Sequence, residues 1–115
     1  MWQAVPITED TYGFQHIENY HEPWAAIVSI QSTEGSLSIQ AHITMTYLTN
    51  KEEYEQLKES IQTLAREVKS AQQATSVRLQ FDCKGISSFE GETPIPTKAH
   101  PAGLTLFNEE FSEEF

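Results

Sequence analysis

Between Thr49 and Ala74 the apolar residues Tyr54, Leu57, Ile61, Leu64, Val68 and Ala71 recur at steps of three and four. That is the spacing of one face of an α-helix. Neither Gly nor Pro interrupts it. Asn50 is placed to cap the first turn, with Glu53 three residues on as its reciprocal partner. Such a helix is about 35 Å long. Its single apolar stripe demands a single apolar surface to cover it.

The neighbouring stretches supply that surface. Leu37, Ile39, Ala41, Ile43, Met45 and Tyr47 alternate with Ser38, Gln40, His42, Thr44 and Thr46. This is the pattern of a strand with one apolar face and one polar face. The polar face, rich in Ser, Thr and Gln, is either wet or a surface for something polar. Ala26, Val28 and Ile30 form a shorter run of the same kind before it, and Glu34-Gly35 between the two reads as a hairpin turn. After the helix, Val77, Leu79, Phe81 and Cys83 alternate with Ser76, Arg78, Gln80 and Asp82 in a strand ending at Gly85.

The expected fold is therefore an α+β two-layer sandwich. A mainly antiparallel sheet, with a β-β-α-β core over about residues 25–85, is covered by one long helix. The length, 115 residues, fits a single domain over 1–115.

The flanks, 1–24 and 86–115, are less regular. Trp2, Val5 and Ile7 read as an extended segment that Pro6 confines to an edge or a strand end. Thr8 can cap a turn through Glu9 and Asp10 that Gly13 ends. Tyr12, Phe14, His16, Glu18 and Tyr20 alternate as a further N-terminal strand, stopped by Pro23. Gly85, Gly91, Pro94, Pro96, Pro101 and Gly103 mark a loop or an extended arm. In the tail, Leu104, Phe107, Phe111 and Phe115 recur at helical spacing, whereas Leu104 to Phe107 also reads as a short strand. Both readings stay open.

Charge is the strongest functional signal. The chain carries 17 acidic and 7 basic residues, a formal net charge of −10. Residues 1–50 hold five acids and no Lys or Arg, residues 51–84 hold six of each sign, and residues 85–115 hold six acids and Lys98 alone. The excess thus sits on the two sides of a neutral helix-and-strand unit. It argues against direct binding to nucleic acid, whose phosphates would be repelled. It argues for solubility and for a basic protein partner. The candidate partner-binding residues are Glu9, Asp10, Glu18, Glu22, Glu34, Glu90, Glu92, Glu109, Glu110, Glu113 and Glu114.

Catalytic and metal chemistry find little support. His16, Glu18, His21 and Glu22 are the one local group of potential ligands, at a spacing that matches no metal motif. His42 falls on the polar face of its strand and His100 precedes Pro101; both read as surface residues. Cys83, the sole cysteine, falls on an apolar face and reads as a small core residue. It allows no intrachain disulfide, which fits a reducing cytoplasm. No Gly-x-Ser-x-Gly elbow, phosphate loop or dinucleotide fingerprint occurs. The expectation is a protein without catalytic residues, metal or cofactor. The N-terminal stretch has no basic residue and no long apolar run, so no signal peptide or membrane span is expected.

A short, acidic, single-domain α+β chain with one Cys and no catalytic motif resembles the phage and prophage anti-CRISPR proteins, of the kind acting on type I-F surveillance complexes. Those proteins share no common motif, so no functional residue carries over. The resemblance implies a monomeric, cytoplasmic inhibitor that binds a Cas surveillance complex and blocks target-DNA recruitment, with carboxylates imitating DNA phosphates. The alternative is an immunity or regulatory protein that neutralises a basic toxin or nuclease. An assembly module whose charge serves solubility comes third, and an enzyme fourth.

Overall fold

The computed structural model describes residues 2–19, 24–87 and 105–115. They form a six-stranded mixed sheet and one long helix. In chain order these are β1 (Trp2–Thr8), β2 (Thr11–His16), β3 (Ala26–Thr33), β4 (Ser36–Thr44), α1 (Lys51–Ala71), β5 (Ser76–Ser87) and β6 (Thr105–Glu114). The strands lie side by side in that same order.

The helix starts as its sequence directs. The Asn50 side chain accepts the Glu53 backbone N–H at 2.8 Å. The Glu53 carboxylate reaches back to the N–H of Thr49, one residue earlier than a capping box places it, at 2.9 Å. At 21 residues, α1 is shorter than the expected span, about 31 Å long. Its end is a Schellman turn: Gln73 takes a φ of 52° while Ala74 N–H bonds Lys69 O and Gln73 N–H bonds Ser70 O. Residues 72–74 thus satisfy the last carbonyls rather than extend the helix. Tyr54, Leu57 and Ile61 are buried as expected, whereas Leu64 and Val68 are half-buried and Ala71 is exposed. Ala65 is buried in their place. A straight helix turns its stripe gradually, so the C-terminal end of the expected stripe rolls off the sheet.

The β3–β4 hairpin forms at Glu34-Gly35, both with positive φ (48° and 84°), the geometry of a two-residue hairpin loop. Pairs β1–β2, β2–β3, β3–β4 and β5–β6 are antiparallel. The pair β4–β5 is parallel, from Ser36↔Ser76 to Thr44↔Lys84. The sheet is mixed because α1 carries the chain back along β4, and β5 must then run the same way as β4.

Several boundaries shift. Met45–Tyr47 form a short 3-10 turn instead of continuing β4. That turn packs on β5 at Gly85 (φ 128°), where a Cβ would lie 3.1 Å from Thr46 Oγ1 and 3.3 Å from Met45 N. β5 therefore runs through Gly85 to Ser87 instead of stopping there. Gly13 lies inside β2 instead of ending a turn. Ile17–Asn19 form a 3-10 turn, so β2 stops at His16. Tyr20, Pro23, Gly91, Pro94, Pro96, Pro101 and Gly103 lie outside the described residues.

The tail is a strand, and its helical reading is overturned. β6 pairs along the whole of β5, from Arg78↔Glu114 to Ser87↔Thr105. The core is also wider than residues 25–85. It takes in Trp2 and Phe14 from one flank and Phe107 from the other.

Candidate functional site

Strand alternation sorts the side chains into two faces. The face toward α1 carries Val28, Ile30, Leu37, Ile39, Leu79 and Phe81, all buried. The other face carries cross-strand rows set by the register. One row runs Ser29, Gln40, Gln80, Ser112; the next runs Ile27, His42, Asp82, Glu110; a third runs Gln31, Ser38, Arg78, Glu114. Most of these side chains are exposed. The polar face expected from β4 is thus one strip of a larger polar surface.

Two ion-paired groups organise that surface. His42 Nδ1 lies 3.1 Å from Asp82 Oδ2. Lys84 Nζ lies 3.7 Å from Asp82 Oδ1, an ion-pair distance beyond hydrogen-bond reach. Arg78 grips the Glu114 carboxylate through Nη2 at 2.6 Å and Nε at 3.0 Å. At the β2 end of the face, Trp24 covers Gly13 so closely that a Cβ there would fall 2.4 Å from its ring.

The acids are not gathered into one row. Glu9 and Asp10 occupy the β1–β2 turn, where Asp10 N–H bonds Thr8 Oγ1 at 3.3 Å, and Glu34 occupies the β3–β4 turn. Glu18 lies in the 3-10 turn after β2. All four are exposed. Among the described residues none of them has a Lys or Arg within ion-pair distance. Glu22, Glu90 and Glu92 lie outside the described residues.

β6 divides its four glutamates between the faces. Glu110 and Glu114 point with the polar face and are exposed. Glu109 and Glu113 are half-buried on the helix side. Glu113 accepts both contacts of the Gln62 amide, at 2.9 and 3.0 Å. On the same face, Phe107 meets Tyr54 edge-on at 5.4 Å and Phe111, between the two glutamates, stacks on Phe81 at 4.8 Å. Lys58 and Arg66 of α1 cover the Phe111 and Phe115 rings. A strand of alternating Phe and Glu is thus fastened to the helix by its aromatic rings and by the hydrogen bonds of its inward glutamates.

One buried polar group joins helix and sheet. The Tyr54 hydroxyl lies 3.2 Å from Glu109 Oε2 and 3.4 Å from Cys83 Sγ, and its single proton serves one at a time. Burial pushes the Cys83 thiol up to about 11, with the Glu109 and Asp82 charges adding to the rise and the Tyr54 bond opposing it. Burial, followed by the bond to Cys83, also holds the Tyr54 phenol well above the usual range. Cys83 is fully buried and held as the neutral thiol, so it lacks the thiolate character a nucleophile needs.

Of the His16, Glu18, His21 and Glu22 group, only His16 and Glu18 fall among the described residues. His16 Nδ1 accepts the Glu18 N–H at 3.2 Å and its ring meets Trp2 edge-on at 5.0 Å. His21 and His100 lie outside the described residues. Among the described residues no three or more His, Cys, Asp or Glu side chains are placed to hold a metal ion, and no helix is long and apolar enough to cross a membrane.

The clefts are shallow. One of about 330 Å³ lies beside Arg78, Glu114, Ser36 and Ser76, and one of about 540 Å³ lies between Arg66, Lys69 and Phe115 at the end of α1.

The four β6 glutamates form one acidic cluster in sequence but are split between the two faces of the strand. The signal for that split exists, because Phe107, Glu109, Phe111, Glu113 and Phe115 are spaced by two as well as in part by four. Comparison with known protein families, curated proteins and solved structures returned no match.

Proposed function

We propose that this chain is an acidic protein inhibitor that docks on a basic, nucleic-acid-binding surface of a protein complex and keeps the nucleic acid from it. The observation that carries this reading is the exposed, uncompensated charge of one half of the molecule. Strands β1 to β4 and their turns contain no Lys or Arg, and their described acids, Glu9, Asp10, Glu18 and Glu34, are all exposed. A field of one sign on a rigid sheet steers association with the opposite sign and competes with phosphates for the same Lys and Arg groups. The likeness to anti-CRISPR proteins makes a Cas surveillance complex the first partner to test, and carboxylates standing in for target-DNA phosphates the mechanism.

The test is capture of a surveillance complex from cells that express it, followed by competition against target DNA. Inhibition is expected to weaken with salt. It is also expected to fall in a Glu9→Gln/Asp10→Asn/Glu34→Gln variant and in a Glu110→Gln/Glu114→Gln variant, each with a shallower salt dependence. Full potency in both variants would overturn the electrostatic mechanism. Failure to compete with DNA would overturn the inhibitor reading.

A further inference from the structure

The last strand of the sheet presents more than charge. Val77 and Phe115 exchange both backbone hydrogen bonds, at 2.8 and 3.0 Å. In an antiparallel ladder such pairs alternate with pairs that exchange none. Along β6 the residues bonded to β5 are therefore Thr105, Phe107, Glu109, Phe111 and Glu113. The N–H and C=O groups of Leu106, Asn108, Glu110, Ser112 and Glu114 point away from β5, and among the described residues no strand lies on that side. The edge is 10 residues long, without Pro and without a register shift. It is a ready template for one more strand.

From this edge we infer that β6 is the docking site for an extended segment of a basic partner, which adds to the sheet as a seventh strand. The chemistry of that segment follows from the two faces. A side chain placed opposite Leu106, Asn108, Glu110, Ser112 or Glu114 shares their polar face, where Glu110 attracts Lys or Arg while Glu114 is already held by Arg78. The alternate side chains fall on the helix side beside Phe107, Phe111 and Phe115, which favour β-branched apolar residues. The recognised segment thus alternates a base with a residue such as valine. A second copy of this chain brings like charge to the same edge. An antiparallel β6–β6 pair centred on Glu110 sets two glutamates directly opposite each other, and like charges so placed are destabilising. The inference rests on reading the chain as the binder of a basic partner, and adds the place and conformation in which that partner is held.

The experiment uses the full chain and a synthetic peptide of the length of β6, alternating lysine and valine, titrated at low ionic strength while backbone amide resonances are followed. The largest shifts and new protection from exchange are expected at Leu106, Asn108, Glu110, Ser112 and Glu114. Ser112→Pro removes an N–H that β5 does not use and blocks the approach of a strand, so the fold is kept and affinity is expected to drop about tenfold. Glu110→Lys is expected to weaken binding about fivefold, with circular dichroism unchanged in both variants. Shifts confined to the Glu9, Asp10 and Glu34 turns, or undiminished binding by Ser112→Pro, would overturn the edge as the site while leaving a basic partner in place. Absence of binding, or protection of the same amides by self-association of the free chain, would overturn the inference outright. Because the peptide stands in for the partner, none of these results depends on capture of a surveillance complex.

Discussion

The two edges of the sheet are built on opposite plans. β1 is 7 residues long, carries Pro6 within it, and shifts register between Pro6 and Thr8. Proline and irregular pairing are standard ways to deny an edge to other strands. Nevertheless β1 is fastened at its start, where Trp2 is buried, meets His16 edge-on and donates its indole N–H to Glu53 O at 3.0 Å. β6 is 10 residues long and regular, and among the described residues its outward side carries charge instead of a proline or a register shift. Its rings fasten it to α1, and its outward residues keep a continuous row of backbone donors and acceptors free of β5. A bent edge excludes every partner, whereas a charged edge excludes only partners of the same charge. The difference makes β6 selective where β1 is closed.

The largest test of this contrast is the strength of the two fastenings. Trp2→Ala and Phe107→Ala are each expected to cost about 3–4 kcal/mol in chemical denaturation, because each empties a buried aromatic position. A loss below about 1 kcal/mol for Trp2→Ala would show that β1 is not held by its first residue and that its short length alone closes that edge.

A smaller effect separates the edges by pH. Only the β6 side contains the Tyr54, Cys83 and Glu109 contact. The folded-state value of Cys83 is raised from 9.0 to about 11. The stability tied to its neutral thiol is complete below about pH 9 and is lost as pH rises toward 11, because the unfolded chain gives up the proton first. The fall is about 2–3 kcal/mol for Cys83, and the raised Tyr54 phenol steepens it above pH 10. Cys83→Ala is expected to flatten the curve between pH 9 and 11 in urea titrations, and an unaltered slope would remove the thiol from the account.

The smallest effect concerns self-association. Glu110→Thr/Glu114→Thr leaves the β6 backbone open but removes the charge that repels a second copy. Sedimentation is expected to show association at least about tenfold tighter than for the parent chain. Pro6→Thr is expected to show no such gain, because the register shift still spoils the β1 edge. Equal behaviour of the two variants would break the comparison.

Much of this is legible in the sequence. The Asn50 cap, the Glu34-Gly35 turn, the faces of β4 and β5 and the burial of Cys83 follow from local spacing and local chemistry, which act within a few residues. The tail was legible only as a choice. Phe107, Phe111 and Phe115 satisfy a period of four and a period of two at once, and short apolar patterns do not arbitrate between helix and strand. The acidic residues were legible as charge but not as an arrangement. Glu109 and Glu113 stand in sequence beside Glu110 and Glu114, and the pleat of one strand sends the two pairs to opposite faces.

By itself, then, the chain's order of residues determined that one long amphipathic helix would cover a sheet, which strand faces would be apolar, and that the excess charge would fall on both sides of a neutral middle. Tertiary structure alone decided that β5 runs parallel to β4, that residues from both flanks enter the core, and that β6 stands at an edge with one set of glutamates tied to the helix and another left outside. The physical reason is range. Periodicity and capping are properties of neighbours in sequence, whereas strand order, edges and the pairing of charges depend on which segments meet, and that is settled only when all the apolar faces compete for the same core.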